Sequence, residues 1–162
     1  MKKDVTRFLF LVIAFALSIS DLFAQNPAGF RDEVHNLVSG DSFVNKKNLM
    51  LFTGSSSVKL WKTLNADFPE YNILNHGFGG STMTDLLYYV DTLITPYRPV
   101  KVFIYEGDND IASGRTPDEI ISGAIKLTRS IKDKLPETQV LFISPKPSLS
   151  RWHLKERYEL YN

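Results

Sequence analysis

At 162 residues the chain has the size of a single domain, and its 43% hydrophobic and 23% charged content excludes a disordered or fibrous protein. Nineteen Lys and Arg against 18 Asp and Glu leave a net charge of +1, so no basic excess points to nucleic acid as a partner. The absence of cysteine excludes disulfides, a thiolate zinc site and a cysteine nucleophile.

Residues 1–24 carry a basic start (Lys2, Lys3, Arg7), an apolar run from Phe8 to Leu17, and a small residue, Ala24, at the exit. That order predicts a secretory signal peptide, and hence an exported, periplasmic or secreted protein with no stable membrane insertion after cleavage. The apolar run is shorter than the roughly 20 residues that span a bilayer as a helix. Cleavage would remove three basic and two acidic residues and leave 16 of each sign. Residues 25–46 predict a helical lead-in around Phe30, Val34 and Leu37.

The remaining chain, residues 47–162, alternates strands with helices. Asn48–Thr53 is a continuous apolar run bounded by a turn, as in a strand buried on both faces, and Tyr71–Asn75, Val100–Tyr105 and Val140–Ile143 are expected as the second, third and fourth strands. Ser81–Leu93 has apolar residues near helical spacing. Thr116-Pro117-Asp118-Glu119 is a helix start, with a capping Thr, Pro at the first position and Glu three residues after the cap. Ile120, Ile121, Ala124, Leu127, Ile131 and Leu135 then run down one face, and a last helix is expected over Trp152–Tyr161. The fold class expected is α/β: a three-layer α/β/α, flavodoxin-like arrangement around a mainly parallel sheet covered on both faces.

Chemistry in such sheets collects beyond the carboxyl ends of the strands. Three successive strands end in Gly54-Ser55-Ser56-Ser57, in Asn75-His76-Gly77-Phe78-Gly79-Gly80-Ser81, and in Glu106-Gly107-Asp108-Asn109-Asp110. A serine at a strand-to-helix turn meets backbone N–H groups that favour developing negative charge. Ester hydrolysis needs such donors in place before its oxyanion forms. The Ser56 N–H, the Gly80 N–H and the Asn109 carboxamide could supply three, with Ser55 and Ser57 as the helix caps.

These three blocks, in this order, resemble those of the SGNH hydrolases, also called GDSL-like lipases and acylhydrolases. The context Phe52–Trp61 is similar to a bacterial subgroup with a Ser-rich first block. The resemblance implies a serine esterase with Ser56 as nucleophile and Gly80 and Asn109 as the oxyanion hole, acting on small-molecule, carbohydrate or lipid esters without a cofactor or metal. Ser55 stands where the family usually has Asp. The resemblance also implies an Asp-x-x-His segment, after a fifth strand, that supplies the base. No such segment follows the fourth strand here, so the expectation is a C-terminally truncated hydrolase domain, lacking its last strand and helix and inactive alone. The alternative is a non-catalytic domain that keeps the cleft as a ligand site.

Other patterns carry less. Gly40-Asp41-Ser42 spells Gly-Asp-Ser but precedes the first strand, and is expected as a turn. Asp32-Glu33-Val34-His35 spells Asp-x-x-His in the lead-in, where a solvated helix face is expected. The Gly77–Gly80 run lacks the Lys-Ser/Thr of a phosphate loop, and Ala112 breaks a calcium-loop pattern on Asp108 and Asp110. Of the histidines, His35 lies at the wrong end, His76 is expected to point away from the Gly80 turn, and His153 to border the cleft.

Overall fold

The computed structural model describes residues 27–162; the expected export segment, residues 1–24, lies outside them. The frame is four short strands, β1 (Met50–Gly54), β2 (Ile73–Gly77), β3 (Lys101–Tyr105) and β4 (Gln139–Phe142). All pair in parallel, in the order β2-β1-β3-β4. Leu51 of β1 stands opposite Leu74 of β2 and Val102 of β3, which itself stands opposite Val140 of β4.

Parallel pairing requires crossovers, and helices supply them. Ahead of β1 lies α1 (Arg31–Ser39); α2 (Ser56–Lys59) and α3 (Leu64–Asp67) connect β1 to β2. The β2–β3 crossover holds α4 (Met83–Tyr88) and α5 (Val90–Leu93). The β3–β4 crossover holds α6 (Asp108–Ala112) and the long α7 (Pro117–Lys134), and α8 (Lys155–Tyr161) follows β4.

Because strand side chains alternate between faces, the core divides in two. Leu51, Val102 and Ile104 pack with Val34 of α1, Leu86 of α4, Leu93 of α5 and Leu127 of α7. Phe52 packs on the opposite face with Val58 of α2 and Leu64 of α3, against Phe103 and Tyr105. There the Phe52 and Phe103 rings stack at 4.5 Å between centroids. The α/β/α layering follows, with one outer layer much thinner than the other.

Helix α7 starts where its sequence says. Thr116 Oγ1 accepts from the Glu119 N–H, and the Glu119 carboxylate accepts from the Thr116 N–H at 2.8 Å. Ile120, Leu127 and Ile131 are buried, each worth about 1.5–3 kcal/mol relative to full exposure. Ile121 is not on that face: one residue, or about 100°, from Ile120, it is 39% exposed beside β4.

Two local expectations are corrected, and one element is added. The helix expected over 81–93 divides at Tyr89, whose N–H is shared between the Asp85 and Leu86 carbonyls and whose hydroxyl donates to the Pro27 carbonyl at 2.7 Å. The segment from Trp152 is a tighter 3-10 turn, Leu149–Leu154, before α8 begins. A one-turn helix, α6, forms inside the Gly-Asp-Asn-Asp block. No helix of the described residues is long and apolar enough to cross a membrane.

Candidate active site

Parallel strands deliver their carboxyl ends to one edge of the sheet, and the three blocks meet there. The turn after β1 is forced by backbone contact. Gly54 has φ +116°, and a Cβ on it would lie 2.2 Å from the Tyr105 carbonyl oxygen of β3. The Ser55 N–H donates to that carbonyl at 3.0 Å, and the Phe78 N–H donates to the Gly54 carbonyl at 2.9 Å. Any side chain at Gly54 would push the first block away from the third.

Ser56 is the first residue of α2 and half-buried. Neither its hydroxyl nor its N–H makes a hydrogen bond among the described residues. Helix α2 is only one turn long, so free N–H groups, not a macrodipole, are what the turn offers an anion. Ser55 is corrected as a cap: it occupies the N-cap position, but its side chain makes no capping bond. Its buried hydroxyl instead accepts from Asn109 Nδ2 at 2.7 Å.

Asn109, in α6, ties the blocks together. The same Nδ2 donates to the Ser81 carbonyl at 2.9 Å, so one carboxamide joins the ends of β1, β2 and β3. Its Oδ1 accepts from Arg151 Nη2 at 3.1 Å. Gly80 lies in the exposed turn beside Ser81, with φ +77° and nothing within 4 Å of a built Cβ. The constraint at Gly80 is therefore its left-handed backbone, not crowding. Its N–H makes no hydrogen bond among the described residues.

Under this turn sits acidic, buried support. Ser81 Oγ donates to Glu106 Oε1 at 2.6 Å, and the Met83 N–H donates to Asp110 Oδ2 at 3.1 Å. Asp85 Oδ2 accepts from the Thr82 N–H and hydroxyl. Glu106 Oε2, Asp85 Oδ1 and Asp110 Oδ1 have no hydrogen-bond partner among the described residues. Burial pushes the Glu106 carboxyl well above its ordinary range, partly offset by the Ser81 bond and reinforced by the neighbouring acids. Burial also raises Asp110. Asp108 and Asp110 turn apart: Asp108 meets Arg151 and Tyr158, whereas Asp110 lies 3.7 Å from Arg115.

The three histidines are not on Ser56. His76 is buried, its Nδ1 donating to the Leu93 carbonyl at 2.8 Å and its Nε2 2.9 Å from Asp41 Oδ2. His35 and His153 are exposed, and no hydrogen bond joins a histidine to Ser56 among the described residues.

Some residues do more than their sequence suggests. Asp41, expected as a turn former, is the acceptor that holds His76 and the Tyr97 hydroxyl. Glu33, expected on a solvated face, accepts from the Gly79 N–H and pairs with Lys59, each at 2.8 Å. It thereby braces the turn that carries Gly80. A cleft of about 770 Å³ opens beside it, lined by Asn36, Lys59, Trp61, Asn65 and Gly77 among others. Arg151 carries no motif that would have announced it.

No family model and no curated protein matches the chain. Solved structures do. A Streptococcus pneumonia protein assigned provisionally as a platelet activating factor aligns over 86% of this chain and 64% of its own, at 21% identity and a TM-score of 0.65. A GDSL-like lipase from Bacteroides thetaiotaomicron aligns over 83% and 68%, at 18% identity and a TM-score of 0.64. A catalytic mutant of an acetylxylan esterase from Geobacillus stearothermophilus aligns over 70% and 68%, at 17% identity and a TM-score of 0.57. The chain thus spans about two thirds of the length of these neighbours. With its all-parallel sheet and flanking helices, the chain has the fold of the GDSL-like lipases and acylhydrolases, the SGNH hydrolases.

Proposed function

We propose that the chain carries the nucleophile and oxyanion-binding half of an exported serine ester hydrolase. Ser56 attacks the ester carbonyl. The N–H groups of Ser56 and Gly80, with the Asn109 carboxamide, receive the oxyanion of the tetrahedral intermediate. The alcohol leaves with a proton, and water releases the acid from Ser56 in the second half of the reaction. Carbohydrate or lipid acyl esters are the substrate class. One neighbour's description as an acetylxylan esterase supports the carbohydrate choice. The observation that carries the reading is the Asn109 carboxamide bonded to both Ser55 and Ser81, which draws three strand ends together beside a serine with an unengaged hydroxyl.

A second reading, a ligand-binding cleft without turnover, is favoured by two facts. No described histidine contacts Ser56, and both Nδ2 hydrogens of Asn109 are already committed. Oxyanion binding by Asn109 therefore requires its bond to Ser55 or Ser81 to lengthen or be shared. Without a base the serine keeps its proton near neutral pH, so turnover by these 162 residues is expected to be slow.

An aryl fluorophosphonate, followed by peptide mass analysis, separates the readings. The hydrolase reading expects labelling confined to Ser56, lost in Ser56→Ala and retained in Ser42→Ala, the serine of the Gly-Asp-Ser decoy. Labelling at Ser42, or equal labelling of exposed serines, favours the binding cleft.

A further inference from the structure

Arg151 stands in the 3-10 turn after β4, with its side chain 31% exposed. Its guanidinium is split between two residues. Nη1 donates to the Asp108 carboxylate and, at 3.3 Å, to the Asp108 carbonyl. Nη2 donates to Asn109 Oδ1 at 3.1 Å. Tyr158 of α8 donates its hydroxyl to the other oxygen of the same carboxylate. Asp108 is thus held from two sides by residues that follow β4, and Arg151 reaches past it to the candidate oxyanion donor.

Two consequences follow from the chemistry of a carboxamide. A flipped Asn109 would set its NH₂ against the guanidinium, donor to donor, and its carbonyl against the Ser81 carbonyl, acceptor to acceptor. Arg151 and Ser81 therefore select one orientation of the amide, with Nδ2 toward the strand-end turns. A cation on Oδ1 also draws electron density from the amide and makes Nδ2–H the stronger donor. Asp108 balances the guanidinium charge and fixes its plane. Lys could not reproduce this, because one ammonium lacks the fork that spans a carboxylate and a carboxamide.

We propose that Arg151 is a positioning residue for the ester hydrolysis put forward above, orienting and polarising the Asn109 carboxamide from behind while Asp108 and Tyr158 hold the guanidinium in place. The hydrogen bonds of its guanidinium go to Asp108 and Asn109, so its effect on the reaction is assigned through Asn109. The proposal rests on the hydrolase reading for its catalytic half only, because the orientation of the amide can be observed without turnover.

The test uses the 162-residue protein with Arg151→Met, Arg151→Lys, Asn109→Ala and the Arg151→Met/Asn109→Ala pair. The Asn109 side-chain NH₂ resonances, assigned by their loss in Asn109→Ala, are expected to shift in Arg151→Met. Their exchange with water should rise on the order of 10-fold, the factor that one lost hydrogen bond corresponds to. Arg151→Lys should fall between, and it carries the test if Arg151→Met fails to fold. Where Ser56-dependent turnover of 4-nitrophenyl acetate is measurable, Arg151→Met should lower kcat about 10-fold at unchanged KM and add nothing in the Asn109→Ala background. Unmoved carboxamide resonances overturn the proposal. So do kcat losses that multiply in the double variant, since those assign Arg151 a separate contact with substrate. If the wild-type chain shows no measurable Ser56-dependent turnover, as the lack of a base at Ser56 leads one to expect, the fluorophosphonate label decides the hydrolase reading and the resonances alone decide Arg151: a shift supports its role and no shift overturns it.

Discussion

Glu106 concentrates the electrostatic conflict of the site in one side chain. It is fully buried, one oxygen accepts from Ser81, and the other has no hydrogen-bond partner among the described residues. Burial raises its pKa, so the folded chain holds a proton that the unfolded chain releases above the ordinary Glu value of 4.5. Below that value both states are protonated and nothing is lost. As pH climbs above it, stability falls progressively, until the folded carboxyl itself ionises. Glu106→Gln keeps an acceptor for Ser81 and removes the titration. It is expected to leave the melting temperature near pH 4 almost unchanged and to raise it at pH 8 by about 3 °C or more, the shift that roughly 1 kcal/mol produces in a domain of this size. Thermal melts across that range check the sign; a variant less stable than the parent at pH 8 would mean that the Glu106 charge is compensated. Ser55 belongs to the same balance. As a neutral acceptor it anchors Asn109 without adding a further acid to the site.

Elements differ in how openly their sequences announce them. The four strands are short runs ending in glycine-rich or polar turns; burial on both faces makes β1 visible, whereas β4, largely exposed, shows only in its apolar residues. Helix α7 is visible because its start is chemical as well as periodic. Thr116→Ala removes the hydroxyl that caps the Glu119 N–H and should cost about 1 kcal/mol, seen as a melting temperature lower by about 3 °C. An unchanged melt would show that Pro117 and the Glu119 carboxylate hold the start alone. Helix α6 was not visible, since Asp108–Ala112 is too short for a period and is polar where a turn is equally natural. Nor was the break at Tyr89, which depends on a hydroxyl bond to Pro27, 62 residues away. The candidate site divides on the same principle. Ser56, Gly80 and Asn109 lie in local blocks at strand ends. Glu33, Asp41 and Arg151 reach their partners across 46, 35 and 42 residues, and no local spacing encodes that.

At the scale of the molecule, the sheet leaves one apolar edge uncovered, at β4. β4 is the last strand on its side of the sheet and has no second strand partner among the described residues. Its Leu141 and Phe142 are 37% and 39% exposed, and Ile121 and Ile125 of α7 are 39% and 47% exposed. Phe142 and the two isoleucines line one cleft of about 570 Å³. A strand edge with free backbone groups beside contiguous apolar side chains is a template for association. Sedimentation velocity on residues 25–162 should therefore show self-association growing with concentration in the micromolar range, where exposed edges and apolar surface begin to associate. Phe142→Lys places a charge on that edge and should shift the distribution toward monomer, with little change in melting temperature because the residue is already partly exposed. Leu60→Lys, at a site 65% exposed beyond α2, is the matched control and should change nothing. A parent protein that stays monomeric at about 100 μM would remove β4 as an associating edge. Equal responses to Phe142→Lys and Leu60→Lys would trace the association to net charge and not to this surface.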